Sequence, residues 1–285
     1  MSVSVLTLVR GRREHLVNLI AGLNASLRQP DELVIAYMQP EAHADLPATR
    51  FPIREVFVAG DEMPLAAARN YAAATASGNQ LVFLDVDCIP SYGMVAGLSQ
   101  AVAEHDALIC CEIGYLPAGA VQDGWEEAML DQLGHPHPVR AFPPPGLVAP
   151  APQPGLFWSL AFAVRAATYD RIGGFDESFS GYGAEDTDLA FRADTAGVPI
   201  LFLGGPRAYH QHHASYDPPL QHFRDIVANA ARFHARHGFW PMDGWLDGFD
   251  RLGLIASDRS NGIVIHRDPT PVEMAAARLP DARPF

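Results

Sequence analysis

Cysteine is scarce in this chain: 285 residues contain three, Cys88, Cys110 and Cys111. Two are adjacent and no CxxC spacing occurs, so neither a disulfide framework nor a structural zinc site is indicated. A reducing cytoplasm fits best. Long apolar runs are missing too. The opening MSVSVLTLVRGRRE has too short an apolar stretch for a signal sequence, and its basic residues follow that stretch instead of preceding it. Nowhere do the roughly 20 apolar residues of a membrane span occur together. The expectation is a cytoplasmic protein, at most peripheral to the inner face of a membrane. Positive charge is also in short supply: 20 basic against 33 acidic residues leave a net charge of −13. Nucleic-acid affinity rests on Lys and Arg neutralising phosphates, so no nucleic-acid partner is expected. No internal repeat is visible. The length bounds the chain to one large domain, or one with a small appendage.

What is there alternates between strand and helix. Val3 to Val9 is a β-rich apolar run, read as a buried first strand. Leu16, Leu19, Ile20 and Leu23 then recur at helical spacing. Strands are expected over Asp31–Tyr37 and Ile53–Ala59, and an Ala-rich helix over Leu65–Ala76 with Gly78 as its C-cap. A fourth strand, Leu81–Leu84, runs into Asp85 and Asp87. A helix over Tyr92–His105 and a strand over Ala107–Cys111 follow. The fold class is therefore α/β, with a Rossmann-like, mostly parallel sheet flanked by helices. Ligands of such sheets collect beyond the carboxyl ends of the strands, where Arg10, Gln39 and Asp85 lie.

Residues 135–154 (HPHPVRAFPPPGLVAPAPQP) change the pattern, being too rich in proline for helix or central strand. They read either as an extended surface loop or as a lid over an acceptor. Order resumes with a strand over Phe157–Val164, a helix over Arg165–Ile172, a strand over Ile200–Leu203 and a helix over Pro219–His237. The last thirty or so residues are weakly patterned and read as a tail or docking strand.

Four constellations carry chemistry. Asp85-Val86-Asp87 ends a buried strand and breaks into a turn at Pro90, so both carboxylates can converge on one hard divalent cation. The plainer reading is a pair of solvated turn carboxylates. The run Gly181-Tyr182-Gly183-Ala184-Glu185-Asp186-Thr187-Asp188 puts three carboxylates where a Gly-rich loop enters a helix. Helix capping explains part of this, but a carboxylate held there can also serve as a general base. Tyr209-His210-Gln211-His212-His213 offers imidazoles as further metal ligands. Arg10, Arg12, Arg13 and Arg69 are guanidinium groups suited to phosphate. Arg13 reads as a surface ion pair, while Arg69, next to Asn70 on the Ala-rich helix, can reach back to a diphosphate.

With these residues in view the chain resembles nucleotide-sugar glycosyltransferases of the GT-A fold. The ARN…LVFLDVD arrangement of family 2 enzymes occurs at Ala68–Asn70 and Leu81–Asp87. The GGFDE…GWGxED segment of the galactosyltransferase-like group is matched by Gly173 to Asp186. That group includes β-1,4-galactosyltransferases, polypeptide N-acetylgalactosaminyltransferases and chondroitin-type polymerases. LVRGRREHL is similar to the PFRxRxEHL segment of β-1,4-galactosyltransferases, and Asp85–Pro90 to their DVDxIP string. The matches span roughly residues 3 to 215, in order.

The resemblance implies a metal-dependent, inverting transfer of a hexose or N-acetylhexosamine from a UDP-sugar to a hydroxyl of a glycan, lipid or small molecule. It implies Mn²⁺ or Mg²⁺ framed by Asp85 and Asp87, with His210 as third ligand and His212 as alternative. Arg10, Arg12, Gln39, Arg69, Asn70, Asp85 and Val86 would line the nucleotide and its phosphates. Asp186 would be the general base, Glu185 would bond a sugar, and Trp158, Tyr182 and Gly183 would meet sugar rings. It divides the chain into a GT-A domain over 1–255, with a nucleotide-binding half to about 112 and an acceptor half beyond, and a C-terminal tail over 256–285. The sequence departs from the group at Tyr182, at Ala184 (a glycine there), in the Pro-rich insertion, and at Tyr37-Met38-Gln39, where many family 2 members carry an acidic residue that reads uracil.

Two other readings fit the sequence less well. A sugar-phosphate nucleotidyltransferase needs a Gly-rich phosphate loop followed by lysine, and LVRGRREH has one glycine and no lysine. A non-catalytic carbohydrate-binding relic has no use for the full set of carboxylates with His210. Arg224, Arg232, His234, Arg236 and His237 on the last long helix suit either anionic lipid or solvent, and solvent is the expectation.

Overall fold

A computed structural model describes residues 1–60, 63–122, 124–256, 258–260 and 262–281. The first half runs β1 (Val3–Val9), α1 (Arg13–Ala25), β2 (Glu32–Tyr37), β3 (Ile53–Phe57), α2 (Leu65–Thr75) and β4 (Gln80–Leu84). There follow β5 (Cys88–Pro90), α3 (Met94–Glu104), β6 (Leu108–Tyr115), α4 (Glu127–Leu133), β7 (His135–Pro136), β8 (Val148–Pro150) and β9 (Ala161–Arg165). The rest comprises α5 (Ala166–Ile172), α6 (Glu185–Thr195), β10 (Ile200–His210), α7 (Phe223–His237), α8 (Asp243–Arg251) and α9 (Pro271–Ala277).

One 10-stranded sheet organises these elements in the order β3-β2-β1-β4-β9-β6-β10-β5, with β7 on β6 and β8 on β10. The pairings among β1, β2, β3 and β4 and that of β6 with β10 are parallel. β9 enters antiparallel between β4 and β6, and β5, β7 and β8 are short antiparallel additions. β1, β2 and β4 are buried at every position, as strands covered on both faces are. β3, at the edge, shows its charged residues to solvent. One face packs under α1 and α3, the other under α2, α5 and α6. A separate apolar cluster joins α7, α8 and α9 to Tyr182.

Several expected boundaries shift. The Ala-rich helix ends at Thr75 with Ala76 as its extended C-cap, so Gly78 is not the cap. Gly78 is instead a site of close approach: a Cβ there would meet Ser4 Oγ at 2.5 Å and Ser4 N at 2.8 Å. Ser4 Oγ accepts from Gly78 N–H and donates to the buried Glu32 carboxylate. Overpacking of this kind costs about 1–3 kcal/mol. Gly78→Ala is therefore expected to lower the denaturation midpoint by that amount without altering ligand affinity, as urea unfolding would show.

The strand expected to stop at Leu203 continues to His210. Gly204, Gly205 and Pro206 read as breakers, yet they form a bulge where the register against β6 jumps from Leu203 to Arg207, as bulges in long strands do. The bulge carries the strand's end to the mouth of the sheet. Its glycines receive the Pro-rich segment: Gly146 N–H donates to Gly204 C=O (2.9 Å) and Gly204 N–H to Leu147 C=O (3.0 Å). Residues 135–154 are thus anchored near both ends by β7 and β8. The strand expected from Phe157 starts at Ala161, after a 3₁₀ turn at Pro154–Leu156.

The last thirty residues are more structured than their sequence pattern indicates. α9 begins at a capping box in which Thr270 and Glu273 bond reciprocally. Bridges join Tyr216 to Arg278 and Ile255 to Ile265. Residues 257, 261 and 282–285 of this stretch lie outside the described residues. No helix among the described residues is long and apolar enough to cross a membrane. The basic groups of α7 are engaged within the chain. Arg224 pairs with Asp268, Arg236 with Asp188 and Asp176, and His237 with Asp188. His234 stacks on Trp240 at 4.0 Å.

Candidate active site

The site forms where the chain leaves the carboxyl ends of β1, β4 and β10, whose following residues meet around Asp87. β4 ends at Leu84 and runs into Asp85, and the turn places Asp87 beside the last residue of β10. His210 Nε2 lies 3.7 Å and His213 Nε2 3.4 Å from the Asp87 carboxylate. Asp87, His210 and His213 each offer a ligand atom, all within 4.8 Å of one another. His213, not His212, completes this group. The chain turns sharply after β10, where Gln211 N–H donates to Asp87 C=O (2.7 Å), and the backbone at His212 faces His15. Asp85 also stands outside the group, its Oδ1 3.3 Å from Arg69 Nη2.

The donor set fits a divalent cation. Burial, opposed by Asp87, lowers the His210 pKa to about 4, so its imidazole is neutral at pH 7 with a lone pair to offer. Burial works against the Asp87 charge, but His210, His213 and Arg12 hold that carboxyl well below the usual range. Two imidazoles and one carboxylate leave coordination positions for oxygens of a ligand. The set also suits a borderline cation better than Mg²⁺, which takes all-oxygen shells.

Arg12 comes from the β1–α1 loop. It sits at the N-cap of α1 with φ 50°, following Gly11 at φ 60°, and its guanidinium pairs with Asp87. That loop is clamped from the end of β2. Gln39 Oε1 accepts from Gly11 N–H (2.6 Å), and Gln39 Nε2 donates to Glu41 C=O (2.7 Å). Gln39 therefore shapes the loop with the polar groups assigned to the nucleotide. Asn70 is a correction of the same kind. Its amide grips Phe175 on both backbone sides, Nδ2 also donates to Glu177, and Oδ1 also accepts from the Tyr169 hydroxyl. It pins the GGF turn and has no group left for a phosphate. Arg10 is exposed at the mouth, and Val86 is buried in the sheet core.

Arg69 is the electrostatic centre. It is 3% exposed and donates to Glu185 Oε1 (3.0 Å) and Asp85 Oδ1 (3.3 Å). The Phe175 ring lies 4.9 Å from its guanidinium carbon. Burial, with Asp87 and Glu185 nearby and Arg69 opposing, pushes the Asp85 carboxyl up to about 7.

Asp186 stands in the first turn of α6. The loop before it is strongly bent, with Gly181 at φ 70°, Gly183 at φ 97° and Ala184 at φ 70°. A Cβ at Gly181 would run into the Asp225 carboxylate. Ala184 holds a left-handed conformation that costs an L-residue roughly 1–2 kcal/mol, which is the physical content of its departure from glycine. Asp186 Oδ1 accepts from Thr187 N–H (2.7 Å) and Oδ2 from Ser159 N–H (3.4 Å). Burial and the neighbouring Glu185 raise its carboxyl to about 6. Asp188, sequence neighbour to this pair, is a structural hub instead, bonded to Arg192, Arg236 and His237.

Tyr182 stacks on His222 at 4.4 Å with Trp245 at 6.0 Å, and Gly183 lies under Met242. Trp158 meets the edge of His137 at 4.8 Å and the guanidinium of Arg140 at 4.9 Å. Sequence reasoning passed over His213 as a ligand, though it lay in the histidine run, because only the turn after β10 decides which imidazole faces Asp87. It also passed over Arg140, which looks like an ordinary loop arginine.

Comparison with known proteins agrees with this architecture. Residues 147–214 match a family described as the N-terminal domain of galactosyltransferase. A validoxylamine A glucosyltransferase of Streptomyces hygroscopicus subsp. jinggangensis is 30% identical, over 53% of this chain and 40% of that protein. A putative polypeptide N-acetylgalactosaminyltransferase 9 of Drosophila melanogaster is 24% identical, over 62% of this chain and 31% of that protein. The chain thus spans well under half the length of these curated relatives. Among solved structures, S. aureus TarS residues 1–349 superpose with a TM-score of 0.56 at 14% identity, covering 92% of this chain and 74% of that one. GalNAc-T7 with UDP, GalNAc and Mn²⁺ superposes with a TM-score of 0.55 at 15% identity, covering 88% and 58%. The fold is that of the GT-A glycosyltransferases, and the sequence relatives are glycosyltransferases.

Proposed function

We propose that this chain is a metal-dependent, inverting glycosyltransferase that takes a UDP-linked hexose or N-acetylhexosamine to a hydroxyl of a glycan, lipid-linked or small-molecule acceptor. The observation that carries the reading is one cluster of polar groups in which Asp87, His210 and His213 could hold a cation, with a separate carboxylate of raised pKa, Asp186, nearby.

A cation held by the triad, most suitably Mn²⁺, would supply charge stabilisation to the departing diphosphate. Arg12 and Arg10 stand at the same mouth to meet phosphate oxygens. Arg69 holds Asp85 and Glu185 in place and keeps the floor of the cleft from accumulating negative charge. Asp186 accepts the acceptor's hydroxyl proton on its carboxylate as the new bond forms. Inversion needs one such base and no carboxylate nucleophile, and the cleft provides one carboxylate free of arginine partners among the described residues. Tyr182 and Trp158 offer ring faces at the acceptor side. The reducing, cytoplasmic setting remains part of the proposal, supported by three free and buried thiols.

Calorimetric titration of UDP with Mn²⁺ and with EDTA tests it. UDP binding should require Mn²⁺ and disappear in Asp87→Ala. His213→Ala should weaken it strongly, while His212→Ala should leave it near wild type. Metal-independent UDP binding, or equal effects of the two histidine variants, would overturn the assignment.

A further inference from the structure

Outside the groups assigned to the transfer reaction, the most unusual group is a buried cation without a counter-charge among the described residues. Arg140, in the Pro-rich segment, is 5% exposed. Its guanidinium carbon lies 4.9 Å from the Trp158 ring, 5.1 Å from Phe202 and 5.2 Å from Phe142. Among the described residues no carboxylate is within ion-pair distance of it, and its Nε and Nη2 atoms are buried without a hydrogen-bond acceptor. Aromatic faces offset part of the desolvation, but they leave the donors unmet. A buried charge that lacks a partner is costly, and such orphaned groups call for an explanation. The two orphaned atoms are adjacent on the guanidinium. They form the side-on fork that matches two oxygens of a carboxylate or phosphate.

Arg140 lines a closed gap with Glu112, Tyr115, Pro136, His137 and Phe142, too tight to admit a water molecule while the turn 137–140 is in place. Glu112, the one carboxylate there, is engaged by Arg207 Nη2 at 2.9 Å. The gap adjoins both halves of the transfer site. Tyr115 lies ring to ring with His210 at 5.1 Å. Trp158 precedes Ser159, whose N–H reaches Asp186. Over the gap, the turn 137–140 is tied by Arg140 N–H to His137 C=O and Val139 N–H to His137 Nδ1, both internal to the turn. His137 also packs against Trp158 at 4.8 Å and Tyr115 at 6.0 Å, so displacing the turn would break ring contacts but no ladder bond.

We propose that Arg140 anchors a subsite for an oxyanion, a carboxylate or phosphate borne by one of the sugar substrates, entered by displacement of the turn 137–139. The proposal rests on the glycosyltransferase reading and deepens it, since it makes an acidic or phosphorylated sugar a preferred substrate. One feature of the cage fixes the geometry: three rings immobilise the guanidinium plane, so an anion gains a pre-ordered fork.

The test is calorimetry on the full chain with Mn²⁺. For the donor, UDP-glucuronate is compared with UDP-glucose. For the acceptor, glucuronate and glucose 6-phosphate are compared with glucose in the presence of UDP. In one of these pairs the anionic sugar should bind about tenfold or more tighter, the range of a charge-assisted bond to a buried group. Arg140→Gln should erase the difference while UDP affinity stays unchanged, and Arg140→Lys should keep part of it. Equal affinities in both pairs, or a preference that survives Arg140→Gln, would overturn the subsite and leave an arginine with a packing role alone. If Arg140→Gln does not fold, the wild-type comparison and Arg140→Lys still decide. Loss of UDP binding in the wild type would instead overturn the donor reading, and glucose 6-phosphate against glucose without nucleotide would then judge the subsite by itself.

Discussion

Asp186→Asn is expected to lower the transfer rate by about 10²–10⁴-fold, the usual contribution of a positioned general base, with Mn²⁺-dependent UDP binding unchanged. Asparagine keeps the size of the side chain, and its one amide oxygen can still accept the shorter bond, from Thr187 N–H, while the long one from Ser159 N–H is lost, so the loop before α6 should largely hold its shape. What it loses is a site for the proton. The pH profile gives an independent check. The Asp186 carboxyl is pushed up to about 6 by burial and by Glu185. A base works only when unprotonated, so the wild-type rate should rise with pH through about 6 and level off above. The residual rate of the variant should lack that limb. A variant that retains the full rate, or a wild-type profile flat between pH 5 and 8, would assign the base to another group.

Arg69→Met should produce the largest loss of stability, about 3–5 kcal/mol, the range for removing one partner of a buried ion pair. The substitution keeps much of the packing against Phe175 and removes the positive charge. Asp85 and Glu185 then face each other and Asp186 with no guanidinium among them. Urea unfolding of the metal-free protein would measure the change. Because Arg69 also orients Glu185 and Asp85, turnover should fall as well, whereas Arg54→Met at the sheet edge should cost far less. Arg54 meets Glu32 from a half-exposed position, and Glu32 keeps its bonds from Ser4 and Ser77.

How much of this was legible in the chain depended on whether the information was local. β1, β2 and β4 announce themselves because strands buried on both faces are continuous apolar runs. The carboxyl ends of such strands tell where ligands gather. That reasoning brought Asp85 to notice without coordinates, while Asp87, Arg69, Glu185, Asp186 and His210 came from residue clusters whose roles the family resemblance implied. The GG-Pro bulge hid the second half of β10, because local chemistry reads Gly204-Gly205-Pro206 as a stop while the pairing partners on β6 carry the strand through it. The weakly patterned C-terminal stretch hid α9, whose apolar face is short and packs in one cluster with α7, α8 and Tyr182.

By itself the sequence determined the α/β alternation, the cleft-facing strand ends and the acidic and imidazole groups available for chemistry, since these depend on residue type and on periods of two and 3.6. The tertiary structure alone decided which groups meet. It put His213 on Asp87 in place of His212, turned Asn70 and Gln39 into supports of the backbone, gave Asp85 to Arg69, and closed three aromatic rings around Arg140. Each of those outcomes turns on the direction of a side chain across a long sequence separation, and direction is set by the backbone path of a bulge, a left-handed residue or a turn, which no local pattern encodes.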